Sequence, residues 1–188
     1  MEKSIMSPLT EEKIKNLKAG DSVLISGIIY TARDAAHKRL IKLLEEGKEL
    51  PLDIKNSIIY YAGPTPAKEG NVIGSVGPTT SYRMDSFTPM LLDRGLRGMI
   101  GKGLRSKEVI ESIKKNKAVY FAAIGGAAAI IAKCVKKVEI VAYEDLDSEA
   151  IRKLEVKDLP VIVAIDSKGN NLYELGQKNY LDASMSTL

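Results

Sequence analysis

The sequence predicts an α/β fold in which helices flank a mixed, partly parallel sheet. Strand-like runs alternate with amphipathic helical stretches along the chain, and no internal repeat is evident. The segment Asp166-Ser167-Lys168-Gly169-Asn170 between Pro160–Ile165 and Leu172-Tyr173 reads as a hairpin turn, which makes the sheet mixed. With 188 residues and 45% apolar content, the chain can bury the core of one domain. Residues 1–8 and 177–188 are expected as extended tails.

The elements follow in order. Thr10-Glu11-Glu12 signals the start of a short helix ending near Gly20, and Asp21 to Tyr30 clusters β-formers as a strand. A helix spans about Arg33 to Glu46, with Ala36, Leu40, Leu43 and Leu44 on one face, and Gly47 stops it. Ser57 to Ala62 is the next strand, and Gly63-Pro64-Thr65-Pro66 is a rigid turn. A helix begins between Asp85 and Pro89, with Thr88 as its cap and Pro89 in its first turn. Gly98 to Gly101 is a short buried strand. Ser106 caps a helix to about Asn116, Ala118 to Ala123 is a strand, and Ala127 to Cys134 is a small-residue helix. Val138 to Tyr143 reads as strand, Ser148 to Leu154 as helix and Pro160 to Ile165 as strand.

Composition excludes several chemistries. Cys134 is the only cysteine and His37 the only histidine, so this chain alone builds neither a disulfide framework, a zinc site nor an iron–sulfur cluster. No apolar run approaches the roughly 20 residues of a membrane span, and Met1-Glu2-Lys3-Ser4-Ile5 lacks the apolar core of a signal peptide. The expected location is the cytoplasm. The charge of +4 and pI near 9.0 come from lysines dispersed among acids, a field that favours anionic ligands over nucleic acid.

Gly77-Pro78-Thr79-Thr80-Ser81-Tyr82-Arg83-Met84-Asp85 is the richest stretch, because a glycine-proline turn gathers hydroxyls, an arginine and a carboxylate at one element end. Arg33 stands where a strand gives way to a helix, and Lys102 stands where the Gly98 to Gly101 strand ends. Strand-end loops of an α/β sheet line one edge, so the three cations converge on a crevice that suits a four-carbon dicarboxylate. Thr79 and Thr80 are the candidates here for a proton-transfer hydroxyl. His37, one turn after Arg33, is expected at the surface or behind the site, and Thr80 and Asp85 are further candidates for support of the site residues. Gly125-Gly126-Ala127-Ala128-Ala129 lacks the spacing of a phosphate-binding motif and reads as close helix-strand packing. Cys134 reads as a small buried hydrophobe.

Four colinear motifs carry a family resemblance: Ala32-Arg33-Asp34-Ala35-Ala36-His37-Lys38-Arg39, Tyr61-Ala62-Gly63-Pro64-Thr65-Pro66, Gly77-Pro78-Thr79-Thr80 with Arg83-Met84-Asp85, and Gly101-Lys102-Gly103. From about Leu9 to Leu175 the chain resembles the β subunit, or C-terminal domain, of class I fumarate hydratases and the related L-tartrate dehydratases. The resemblance implies a swivelling β/β/α domain that works with an α subunit whose cysteines hold a [4Fe-4S] cluster, in an assembly expected to be α2β2. It implies reversible hydration of fumarate to (S)-malate, with Arg33, Arg83 and Lys102 binding carboxylates and Thr79 removing the C3 proton. Ser81-Tyr82 departs from the small residues of many relatives and bears on fumarate against tartrate as substrate. A noncatalytic carboxylate-binding or assembly module is the alternative from another class.

Overall fold

The structure, a computed structural model, describes residues 2–123 and 128–176. Its elements run β1 (Lys3–Met6), α1 (Glu11–Ile14), β2 (Ser22–Thr31), α2 (Asp34–Glu45) and β3 (Ile58–Tyr60). A 3-10 turn at Ser81–Met84 leads into α3 (Thr88–Asp93), β4 (Gly98–Gly101), α4 (Lys107–Asn116) and β5 (Val119–Ala123). After α5 (Ala128–Cys134) and β6 (Val135–Ala142), a second 3-10 segment at Glu144–Glu149 precedes β7 (Ile151–Ile165).

Strands β1 to β5 are neighbours in chain order and all parallel. The 15-residue β7 runs antiparallel to them and pairs with β2, β5 and β6. Because β7 bonds to both β2 and β5, the strands β2-β3-β4-β5-β7 close into a ring. The α/β class and the mixed sheet therefore agree with expectation, although the antiparallel member is β7 and not a terminal hairpin. Asn171 makes only an isolated bridge to Ile165, and residues 172–176 form a helical turn in place of a strand.

Alternation along the strands divides the core in two. Ile58 and Tyr60 join one cluster with Ile25, Ile100, Phe121 and Val163, while Ile59 and Tyr61 join another with Met99, Tyr120 and Ile165. The second cluster includes Leu40 of α2, Leu91 of α3 and Ile113 of α4, so it is the helix-covered outer face and the first fills the ring.

Local signals explain most boundaries. Ser106 accepts from the Val109 amide at 3.3 Å to start α4, and Lys117, in the left-handed region at φ 49°, ends it. Pro89 lies in the first turn of α3 as expected, but Phe87 takes the cap position expected of Thr88. The helix expected to reach Gly20 stops at Ile14. The helix expected over Ser148 to Leu154 is a correction: 151–154 are strand, paired with β2 on one side and β6 on the other. Two edges of ladder bonding outweigh the helix propensity of Glu149, Ala150 and Leu154. Of the stretch expected as an N-terminal tail, 3–6 is built into the sheet beside β2, whereas 177–188 and Gly125, Gly126 and Ala127 lie outside the described residues. Among the described residues no helix is long and apolar enough to cross a membrane.

Candidate functional site

The parallel direction of β2, β3 and β4 brings their C-terminal ends to one edge of the sheet, and each end delivers a cation or its support. Arg33 follows β2 as the cap residue of α2, and Lys102 follows β4. The chain from Pro78 to Ser81 is stitched between β3 and β4 at this edge. Pro78 bridges Ala62, the Thr79 amide donates to Tyr61 O at 2.7 Å, and Thr80 bridges Lys102. The Ser81 amide donates to Lys102 O at 3.0 Å, and the Lys102 amide donates to Ser81 Oγ at 3.0 Å.

That reciprocal pair needs close approach, which Gly101 provides. A Cβ at Gly101 would overlap Ser81 Oγ and come within 2.9 Å of the Tyr61 ring. Gly63 has a comparable duty, since a Cβ there would lie 2.9 Å from Arg33 Nη1 and 3.0 Å from Ser148 O. The glycines of both motifs are thus steric requirements of the site.

Within the 3-10 turn, Arg83 donates from Nη2 to Thr79 Oγ1. Its Nη2 also lies 3.5 Å from Asp34 Oδ2, and Arg33 Nε lies 3.9 Å from the same oxygen. Asp34 thus stands between the two arginines. Arg33 Nη2 is 3.4 Å from Glu149 Oε1, and the other oxygen of Glu149 accepts from the Ala35 amide at 3.0 Å in the first turn of α2. Arg33 Nε and Asp34 Oδ2 are buried without a hydrogen-bond partner among the described residues. None of these ion pairs has the geometry of a hydrogen bond, so Arg33 retains directional donor capacity for an incoming anion. Lys102 is exposed and makes none of the ion pairs among the described residues.

The structure therefore brings Arg33, Thr79 and Arg83 together through contacts and ties Lys102 to the same turn through its backbone. Thr80 supplies the backbone bridge to Lys102. Asp85 pairs with neither Arg33 nor Arg83: Oδ1 accepts from Arg105 Nε at 2.6 Å and Oδ2 from the Ser106 amide at 2.6 Å. Tyr82 is exposed, so its phenol does not fill the crevice of this chain.

Of the two positions expected for His37, the structure has the one behind the site, because the residue is wholly buried. Its Nδ1 is 2.8 Å from Arg33 O, an atom that only accepts, so the ring proton sits on Nδ1 and Nε2 is left bare. Burial pushes its pKa down to about 4, against the raising effect of the Arg33 carbonyl. The ring packs edge-on to Tyr61 at 5.4 Å and lies 6.0 Å from Phe87, beneath Arg33 and not in the crevice.

Two functional neighbours escaped sequence reasoning. Glu149 reaches Arg33 from 116 positions away in the chain, and no local pattern announces it. Arg105 is fully buried, and the only local hint is a cation immediately before the Ser106 cap. Cys134 ends α5 and is half-buried, and burial pushes its thiol above the usual range. No group of three metal-ligating side chains occurs among the described residues. With one cysteine in the sequence, the donor set does not fit a [4Fe-4S] cluster.

The family model described as Fumarase C-terminus matches residues 2–176. A Methanocaldococcus jannaschii protein named "Putative L(+)-tartrate dehydratase subunit beta" is 42% identical over 172 residues, 88% of this chain and 88% of that protein. The anaerobic class I fumarate hydratase of Escherichia coli is 43% identical over 152 residues, 80% of this chain and 28% of that protein. Fumarate hydratase 2 of Leishmania major is 40% identical over 164 residues, 86% of this chain and 29% of that protein. The chain thus spans less than a third of those two hydratases but most of the archaeal protein.

Proposed function

Because the chain belongs to the family of fumarase C-terminal domains, we propose that it is the β subunit of a two-subunit iron–sulfur fumarate hydratase, interconverting (S)-malate with fumarate and water. The observation that carries this reading is the Arg83 guanidinium donating to Thr79 Oγ1 beside Arg33 on the strand-end edge. Near matching to a separately named β subunit supports a partner α subunit, and the single cysteine means that any cluster is held outside this chain. Assembly as α2β2 in the cytoplasm and a single domain over 1–188 belong to the same proposal.

Arg33 and Arg83 bind carboxylate oxygens with their planar forks, and Lys102 adds a point charge. Thr79, as the alkoxide that the Arg83 guanidinium stabilises, takes the C3 proton of malate at Oγ and becomes the neutral hydroxyl, while the C3–H electron pair forms the double bond to C2. The C2 hydroxyl leaves as water after protonation by a general acid on the partner. The cations at the adjacent carboxylate stabilise the negative charge that develops at C3, and closure against the partner excludes water.

L(+)-tartrate is the second reading, favoured by the archaeal protein that this chain matches over most of its length. Tartrate differs from malate by one hydroxyl, and exposed Tyr82 leaves the crevice open to either.

The test mixes this chain with a cluster-loaded α subunit and compares malate with L(+)-tartrate. Activity is expected only in the mixture, and full activity of the isolated chain overturns the subunit assignment. Thr79→Ala is expected to lower kcat by about 10² with little change in KM, as for a lost proton-transfer group. A variant with normal kcat removes Thr79 from that role.

A further inference from the structure

Arg105 makes a set of contacts that nothing in the proposed chemistry uses. Its side chain is 0% exposed, yet it carries a full charge. Nε donates to Asp85 Oδ1 at 2.6 Å, Nη2 donates to Thr88 Oγ1 at 2.8 Å, and its guanidinium carbon lies 5.3 Å from the Tyr61 ring centre and 4.9 Å from that of Tyr120. Asp85 also accepts from the Ser106 amide at 2.6 Å, and Thr88 donates onward to Met84 O at 2.9 Å. Burying an ion pair this deeply gives little net stability over apolar residues at both positions, so stability alone does not account for it.

Position supplies the reason. Asp85 is two residues after Arg83, at the C-terminal end of the same 3-10 turn, and Arg105 is three residues after Lys102 in the same loop. On the other side of Arg83, Ser81 is bonded to the Lys102 backbone, and the Tyr120 hydroxyl lies 2.9 Å from both Ser81 Oγ and Gly103 O. Arg83 is thereby pinned at both flanks to the loop that bears Lys102. A shift of the turn along that loop would have to break the Ser81 pair, the Asp85 pair and the Thr88 bond together.

Resting on the dicarboxylate reading above, we propose that Arg105 is a positioning residue that fixes the spacing between Arg83 and Lys102 and so sets the dicarboxylate length the crevice accepts. Arg105 touches no ligand itself. It acts by holding Asp85 and Thr88.

The test measures binding of malonate, succinate and glutarate to the full chain by calorimetry, together with its thermal midpoint. One methylene is worth roughly 10-fold or more in a fitted site, so the unsubstituted chain is expected to prefer succinate by about that factor over either neighbour. Arg105→Lys keeps the charge without the fork, and Thr88→Val removes one bond at nearly constant volume. Both are expected to flatten the length preference several-fold, with Thr88→Val the better folded of the two. An unchanged preference in either folded variant, whatever happens to the midpoint, overturns the positioning role. A chain that binds all three equally overturns the spacing argument alone, whereas one that binds none overturns the dicarboxylate reading and this inference with it.

Discussion

The two sides of the 3-10 turn at Ser81–Met84 are built on opposite rules. Toward the crevice stand Thr79 and Arg83, half-buried and exposed, with Arg83 reaching Asp34 only at 3.5 Å. Toward the protein stand Ser81 and, just beyond the turn, Asp85, whose oxygens are met at 2.6 to 3.0 Å by Lys102, Arg105 and Ser106. One short segment thus ties its inner polar groups to other elements and its outer ones mainly to each other. The difference separates what holds the site from what is free to bind.

The largest expected break in this comparison is on the inner side. Arg105→Met leaves the Asp85 carboxylate, 12% exposed, without its cation, and a loss of ~3–5 kcal/mol in urea unfolding is expected. His37 belongs to the same inner layer and gives a pH signature. Its ordinary pKa of 6.5 falls to about 4 on folding, so the unfolded chain binds more protons between those values. Stability is therefore complete above about pH 6.5 and declines as pH falls toward 4, by at most ~3 kcal/mol. His37→Gln is expected to flatten that part of the profile in denaturation measured from pH 7.5 to 4; an unaltered slope assigns it to other groups.

Gly101→Ala forces a methyl into Ser81 Oγ, and a loss of about 1–3 kcal/mol with weaker dicarboxylate binding is expected from unfolding and calorimetry. Arg83→Gln sharpens the contrast from the outer side. Its expected stability change is within ~0.5 kcal/mol, yet dicarboxylate affinity should fall about 10-fold or more. A large stability loss in Arg83→Gln would erase the distinction between the two sides.

Much of this arrangement is legible in the sequence where the cause is local. Ser106 caps α4 because its hydroxyl reaches an amide three residues on, and the Gly98–Gly101 strand is marked by its own apolar run. Arg33 and Lys102 can be placed beside one another because parallel topology sends the ends of β2 and β4 to one edge, where the turn bearing Arg83 joins them. The misreading of 148–154 has a non-local cause: Ile151 and Leu154 carry helix-compatible spacing, but β2 and β6 claim the backbone on both sides. The sequence leaves His37 at the surface or behind the site, because its polarity, read alone, says nothing of the Tyr61 and Phe87 rings that enclose it. Glu149 and Arg105 owe their roles to partners distant in the chain, and side-chain pairing at that range has no periodicity to read.

The late position of β7 has a consequence for how the protein is made. During synthesis β2 and β5 emerge long before 151–165, so both present unpaired ladder edges until the final strand arrives and the ring shuts. Closure then depends on contacts between distant parts of the chain, which slows folding. Chains arrested before Ile151 are expected to be captured by chaperones or to aggregate, and the Glu149 contact to Arg33 forms only after the whole stretch between those two residues has left the ribosome.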